Sequence, residues 1–416
     1  MWGEDFSAIV DKLAYRKLEE IVMALTHLPL EQINESHLQA LMTADTAESL
    51  YIEYKRQTYG GNDDSRAEFL ADISSFANAH GGDVIIGIEE SEGRPQAFLP
   101  FTGNADEELR RLQQMARDGI QPRISNLQTL AVSLAQGGHV LLIRIPRSYN
   151  SPHRVSFKNK NRFWARSSGG KYEPNIDELR GLFNAAPQIA GNIRDFRFDR
   201  VSKIAAGLAP VNLTNKVVLI IHVIPFSAFS IGQVLDISNL AQQPNQFPPP
   251  ARGYASNWHV NFDGLLTVSH SDANASSQPA YTQVFRTGIV EAVTSIQHSS
   301  GDISAIDVEA NIVKWSSKYM ASLAANGVEP PMVVLASLSG VKDVPMITGT
   351  GNALFPPPPV IIKPEQLHFM ETIFEAIPAS NNQCARTLRP MLEQLANAAG
   401  LPASVTFNES GDWRYT

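Results

Sequence analysis

The sequence predicts a mixed α/β (α+β) protein built as two domains. Three observations carry this. The chain has 416 residues, more than one hydrophobic core usually organises. The apolar period switches repeatedly between helix-like and strand-like spacing in both halves. A stretch over 187–210, with proline at both ends, reads as a linker between the two patterned regions.

Residues 1–44 form the first segment and read as helical. Ile9, Leu13, Leu18, Ile21, Val22 and Leu25 recur at helical spacing, and Leu38, Leu41 and Met42 mark a second short helix. A mixed domain follows over 45–186. Leu50, Ile52 and Tyr54 alternate with Tyr51, Glu53 and Lys55, as in a strand. A polar turn at 60–64 leads into a helix capped by Ser65, with Glu68 at the capping-box position. Gly81-Gly82 stops that helix, and Val84–Ile88 reads as a buried strand. A helix near 106–117, strands near 128–135, 139–145 and 163–166, and a closing helix over 175–183 complete the domain.

The region 211–416 is a second α/β domain with no recognisable role. Strands are expected at 216–224, 264–270, 284–296 and 332–338. Helices are expected at 303–326, 364–377 and 386–399. The proline-rich runs at 244–250 and 356–359 read as rigid loops.

Composition bounds the function. Cys384 is the single cysteine, which excludes an intrachain disulfide and fits a reducing cytoplasm. It has no Cys or His neighbour and reads as an inert core thiol. The first residues show no secretory h-region, and no apolar run is long enough to span a bilayer. The expectation is a cytoplasmic protein without a membrane partner. The net charge of −8 argues against a chain that simply coats nucleic acid. Any such contact has to come from a local patch.

One segment supplies that patch. Between Ser151 and Tyr172 there is no acid, yet Arg154, Lys158, Lys160, Arg162, Arg166 and Lys171 are interleaved with His153, Phe157, Phe163, Trp164 and Tyr172. Cations suit a phosphate backbone, and aromatic faces suit unpaired bases. The plainer reading is a basic hairpin whose aromatics pack inward.

Three acids form the second candidate group. Glu53 and Lys55 sit two apart on one strand face. A carboxylate beside a lysine suits phosphodiester cleavage, since the acid can hold a hard divalent ion such as Mg²⁺ or Mn²⁺. Glu48 can join Glu53 only if it precedes the strand, on a turn or a helix end. Glu90 follows the buried strand, where a loop would expose it. The plainer reading of E-x-K is a solvated strand face.

The order of these pieces resembles the AlbA_2 domain of the Schlafen group. The matching residues are Glu48-Ser49, Glu53-Tyr54-Lys55, the run Ile73-Ser74-Ser75-Phe76-Ala77-Asn78-Ala79-His80-Gly81-Gly82, and Ile86-Gly87-Ile88-Glu89-Glu90. Ile145-Pro146, Ser151-Pro152-His153 and Arg166-Ser167-Ser168-Gly169 resemble the family's later segments. The resemblance implies a mixed α/β fold and a metal-dependent endoribonuclease acting on structured RNA such as tRNA. Its acids would be Glu48, Glu53 and Glu90, with Lys55 beside them and Asn78 and His80 nearby. A role in bacterial phage defence, and a second domain that senses a trigger ligand or assembles the protein into a homo-oligomer, would suit such an enzyme. The family's third acid is usually aspartate, and the extra methylene of Glu90 moves the carboxylate by roughly 1.5 Å. The alternative expectation is therefore a non-catalytic nucleic-acid or ATP-binding regulator on the same fold. No G-x-x-x-x-G-K-[ST] loop, G-x-S-x-G elbow or metal-like histidine spacing occurs in the sequence.

Overall fold

The structure is a computed structural model that describes Leu25 and residues 28–158, 160–230, 234–250, 255, 257–269, 276–348 and 358–415. The helix expected over Ile9–Leu25 lies outside the described residues, apart from Leu25. The chain is α+β and divides into two compact units, 1–188 and 189–416.

In the first unit, Glu35–Thr43 is a helix capped by Asn34. The strands are β1 (Ile52–Lys55), β2 (Gly82–Ile86), β3 (Ile88–Ser91), β4 (Arg94–Phe98), β5 (Ile120–Gln121), β6 (Gln128–Ser133), β7 (His139–Ile145), β8 (Arg154–Phe157), β9 (Lys160–Phe163), β10 (Ala165–Ser167) and β11 (Gly170–Tyr172). The central sheet has the order β1-β2-β7-β6. β1 and β2 run parallel, joined through the Asp63–Ala77 helix, and the other pairs are antiparallel.

The two faces of this sheet bury different residues. Val84, Ile86, Leu141 and Ile143 pack under Phe69, Ile73 and Phe76 of one helix and Leu109 and Leu112 of the Ala105–Gly119 helix. Ile52, Tyr54, Ile85, Val140 and Leu142 face Leu38 and Leu41 on the other side. Burial on both sides explains the unbroken apolar run of β2.

Two glycines make this arrangement possible. Gly82 has φ +152°, and a Cβ there would lie 2.5 Å from the Tyr51 carbonyl oxygen and 2.6 Å from the Phe76 ring. Gly81, at φ +76°, would meet the Arg147 backbone nitrogen at 2.5 Å. Close backbone approach, and not helix termination alone, accounts for the pair.

Several elements differ from expectation. The cap of the Asp63–Ala77 helix is Asn62, whose side chain accepts from Ser65 N at 2.8 Å, so Ser65 is inside the helix. Glu90 lies on β3 at a bulge instead of on a loop, because Gly87 (φ +101°) kinks the chain and lets Ile88–Ser91 start a new hairpin with β4. The expected strand at 163–166 is split between β9 and β10. The closing helix does not stop at Phe183 but runs as Ile176–Ala205 through Pro187, so 187–210 is mostly helix instead of linker. Residues up to 188 belong to the first unit and the remainder to the second.

The second unit contains an antiparallel sheet centred on Val218–Pro225, which pairs with Val290–Ser295 on one side and Met332–Ser339 on the other. Leu219, Ile221 and Val223 face a core formed with Ile312, Trp315, Tyr319 and Leu323 of the Ala305–Ala325 helix and Leu388 and Leu392 of the Asn381–Ala398 helix. Val218 and Ile220 point the other way, toward Val201 and Ile204. The strand expected over 284–296 is a hairpin, Ala280–Phe285 and Val290–Ser295, turned at Gly288 (φ +89°). The helix expected at 364–377 is instead two short strands, Gln366–His368 and Thr372–Phe374, both paired with Met332–Ser339. Pairing to a fully buried strand overrides local propensity here.

Candidate nucleic-acid site in the first unit

The site begins with a turn. Ser49 N donates to the Ile52 carbonyl at 3.1 Å and Tyr51 N donates to Ser49 Oγ at 3.2 Å, so the chain doubles back before β1. Glu48 therefore precedes the strand, on a turn, one of the two placements that let it approach Glu53. Its Oε1 accepts from Tyr54 N at 3.0 Å. Its backbone N–H donates to the Gly93 carbonyl at 2.7 Å. Glu92 (φ +52°) and Gly93 (φ +71°) form a two-residue hairpin turn with both central residues left-handed, which suits a tight connection between β3 and β4. Glu90 Oε2 accepts from Gly93 N at 2.7 Å, so its carboxylate closes the same turn.

Burial, then Glu53 and, more weakly, Glu90, push the Glu48 carboxyl above its usual range, against the pull of the Tyr54 N–H and Lys55. Glu53 and Glu90 are thus each within electrostatic reach of Glu48. Of the three, Glu48 lines a cleft of about 290 Å³, together with Ser49, Glu92, Arg166, Gly169 and Gly170.

Glu53 behaves differently. Its Oε1 lies 3.0 Å from Lys55 Nζ and its Oε2 pairs with Arg166 Nη2. Burial raises its pKa, but Arg166 and Lys55 outweigh that and hold the carboxyl below the usual range. The Arg166 side chain is 1% exposed. It also donates to the Ser49 carbonyl at 3.1 Å and lies 4.0 Å over the Phe76 ring.

Sequence reasoning missed Asp72. It is fully buried on the Asp63–Ala77 helix and gathers Lys171 at 2.5 Å, Lys55 at 3.4 Å and the Tyr59 hydroxyl at 2.8 Å. The available signal was an acid among core positions, between Phe69 and Ile73. Lys55 also contacts Glu68 at 3.0 Å. The result is an alternating ladder, Arg166–Glu53–Lys55–Asp72–Lys171. Among the described residues, no group of three His, Cys, Asp or Glu side chains is placed to hold a metal ion.

The basic segment divides in the structure. Arg166 is internal, and Lys171 is held by Asp72. Lys158 pairs with Asp63, Arg162 with Glu173 at 2.7 Å, and Arg154 donates to Gln121 at 3.0 Å. These three and Lys160 lie on or between β8 and β9. The aromatics mostly turn inward: Phe157 and Trp164 pack against the core, and Phe163 meets Phe183 edge-on. His153 is buried, with Nδ1 2.6 Å from the Pro122 carbonyl, and burial holds its pKa low. Asn78 ties the helix end to this segment, donating to the His153 and Trp164 carbonyls at 3.0 and 2.8 Å. His80 is the more exposed of the two histidines, its ring 6.0 Å from that of Tyr51.

The second unit holds a separate hollow of about 290 Å³ beside Pro210, Asn212, His259 and Gln278. Among the described residues no helix is long and apolar enough to cross a membrane.

Comparison with known proteins finds a match within the first unit. Residues 48–175 match the family described as Schlafen, AlbA_2. No curated protein matches the chain. Among solved structures, the chain is similar to the DIP2311 protein from Corynebacterium diphtheriae, at 16% identity and a TM-score of 0.26, over 36% of this chain and 29% of that one. It is also similar to the N-terminal domain of a putative ATP-dependent DNA helicase RecG-related protein from Nitrosomonas europaea, at 19% identity and a TM-score of 0.24, over 33% of this chain and 85% of that one.

Proposed function

We propose, from the premise that residues 48–175 form a Schlafen AlbA_2 domain, that this domain binds RNA and cuts it at the Glu48 cleft. The family supports a nucleic-acid-related role. Structured RNA such as tRNA is the substrate class that the family resemblance offers.

The observation that carries the reading is the setting of Glu48. It lines the cleft, it is half-buried, and two other carboxylates raise its affinity for a proton. Its Oε2 accepts no hydrogen bond among the described residues. A carboxyl so placed can take the proton of a ribose hydroxyl and return it to the leaving oxygen. Arg166, in the wall of the same cleft, is buried against Glu53 and keeps that wall in place.

The Mg²⁺ or Mn²⁺ expected from the sequence is a separate matter. The three glutamates as arranged do not suit an ion held jointly by all of them. Both Glu53 oxygens already meet a cation, so a divalent ion there competes with Lys55 and Arg166. That same pinning favours a second reading, in which the domain binds RNA without cutting it.

Labelled tRNA incubated with the full chain and Mn²⁺, with and without EDTA, separates the readings. Cleavage by the wild type that is lost in Glu48→Gln supports the nuclease. Binding without cleavage in either protein supports the second reading. Neither binding nor cleavage removes RNA from the account.

A further inference from the structure

The ladder beside the cleft treats its two lysines unequally. Lys55 Nζ has three carboxylates around it, Glu53 at 3.0 Å, Glu68 at 3.0 Å and Asp72 at 3.4 Å. An ammonium has three N–H donors, so Lys55 has none to spare. Lys171 Nζ meets Asp72 alone among the described residues, at 2.5 Å, with a quarter of its side chain exposed. Two of its donors remain for a ligand. The strand that carries it starts at Gly170, which lines the cleft with Gly169.

The remaining cations of the segment are less suited. Arg166 is buried. Among the described residues, Lys158, Arg162 and Arg154 are held only by the exposed Asp63, Glu173 and Gln121, which are themselves mobile, so fixing these side chains and that of Lys160 costs entropy on binding. Lys171 is already held, because Asp72 is fully buried and cannot move far. Tyr59 and Lys55 fix Asp72 from other directions.

We infer that Lys171, pre-positioned by Asp72, is the phosphate contact of this domain, and that Lys55 serves to hold Glu53 and Asp72 in place. This deepens the RNA-binding reading and rests on it. The ligand chemistry is a phosphodiester oxygen of a single-stranded or unpaired nucleotide. Asp72 is a positioning residue, since it acts through Lys171.

The test is the affinity of the full chain for a fluorescein-labelled single-stranded RNA as a function of potassium concentration. Losing one phosphate contact lowers the slope of log affinity against log salt by about 0.7 for a single strand. Lys171→Gln is expected to weaken binding and lower the slope by that amount. Lys171→Arg is expected to keep the wild-type slope. Asp72→Asn removes the carboxylate that anchors Lys171, while Lys55 keeps Glu53 and Glu68, so affinity falls about threefold with the slope unchanged. Lys55→Gln leaves the slope where it was. A folded Lys171→Gln protein with the wild-type slope overturns the assignment, as does Lys55→Gln taking the loss. A Lys171→Arg slope as low as that of Lys171→Gln shows a structural effect and also overturns it. If the wild type binds no RNA, the functional reading fails together with this one; if it binds and Lys171→Gln is silent, only this one fails.

Discussion

Lys55 Nζ lies 3.0 Å from Glu53 Oε1, two residues along the same strand face. The acid that the family resemblance would assign to a metal is thus half-neutralised from within its own strand, and Arg166 completes the neutralisation from a residue 113 positions away. Lys55 is correspondingly pushed well above the usual lysine range by Asp72 and Glu53, which overcome the opposing effect of burial.

Removing Glu53 should therefore be costly. Glu53→Gln leaves the buried Arg166 without its charged partner, and breaking a buried pair typically costs about 3 kcal/mol or more. Because the Glu53 carboxyl is held below its ordinary value of 4.5, its contribution is present above that value and lost as pH falls through the folded value. Denaturant unfolding at neutral pH should show the deficit, and the gap to wild type should narrow below about pH 4.

Glu48→Gln should behave in the opposite sense. The Glu48 carboxyl is held above 4.5 by burial and then by Glu53, so its favourable contribution is present at low pH and disappears as pH rises through the folded value. At neutral pH the folded state holds a disfavoured charge. The glutamine variant should then melt at or above the wild-type midpoint while losing cleavage about a hundredfold or more. A loss of stability at neutral pH would contradict this.

A structural prediction tests the sheet itself. Gly82→Ala places a Cβ 2.5 Å from the Tyr51 carbonyl, which accepts the Asp83 N–H at 2.8 Å and so joins β1 to β2. The strain and the displaced strand should cost about 2–3 kcal/mol. Hydrogen exchange should show lost protection along Ile52–Lys55.

In the second unit, Glu291 is fully buried and accepts two Arg200 bonds at 2.8 Å, one from the Tyr281 hydroxyl at 2.8 Å and a contact from His222 at 3.1 Å. Burial opposes its ionisation, but Arg200 and His222 bring the pKa down to about 2. Glu291→Gln should destabilise the protein by about 3–5 kcal/mol at neutral pH. The wild-type advantage should be complete above pH 4.5 and fade toward pH 2. Urea unfolding at two pH values measures it.

Much of this was legible in the sequence, and the gaps have a common cause. The Ser-Ser-Phe-Ala-Asn-Ala-His-Gly-Gly run pointed to the family, and the period-2 pattern of Ile52 and Tyr54 gave β1. The condition on Glu48, that it must precede the strand on a turn or a helix end, came from side-chain alternation alone. What sequence could not reveal was who neutralises whom. The segment 151–172 holds no acid, yet Lys158, Arg166 and Lys171 meet Asp63, Glu53 and Asp72 from 95, 113 and 99 residues away. Local charge asymmetry says nothing about such partners. The same holds for Gln366–His368 and Thr372–Phe374, whose strand character comes from pairing with Met332–Ser339 and not from their own pattern.

The central claim is that the Glu48 carboxyl is the reactive group of an RNA-cutting cleft. Single-turnover cleavage of labelled tRNA, followed from about pH 4 to about pH 8 for wild type and Glu48→Gln, tests it most directly. The wild-type rate is expected to titrate with a midpoint above 4.5, and in Glu48→Gln both the rate and that titration are expected to be lost. Cleavage by Glu48→Gln at the wild-type rate and with the wild-type pH profile would contradict it.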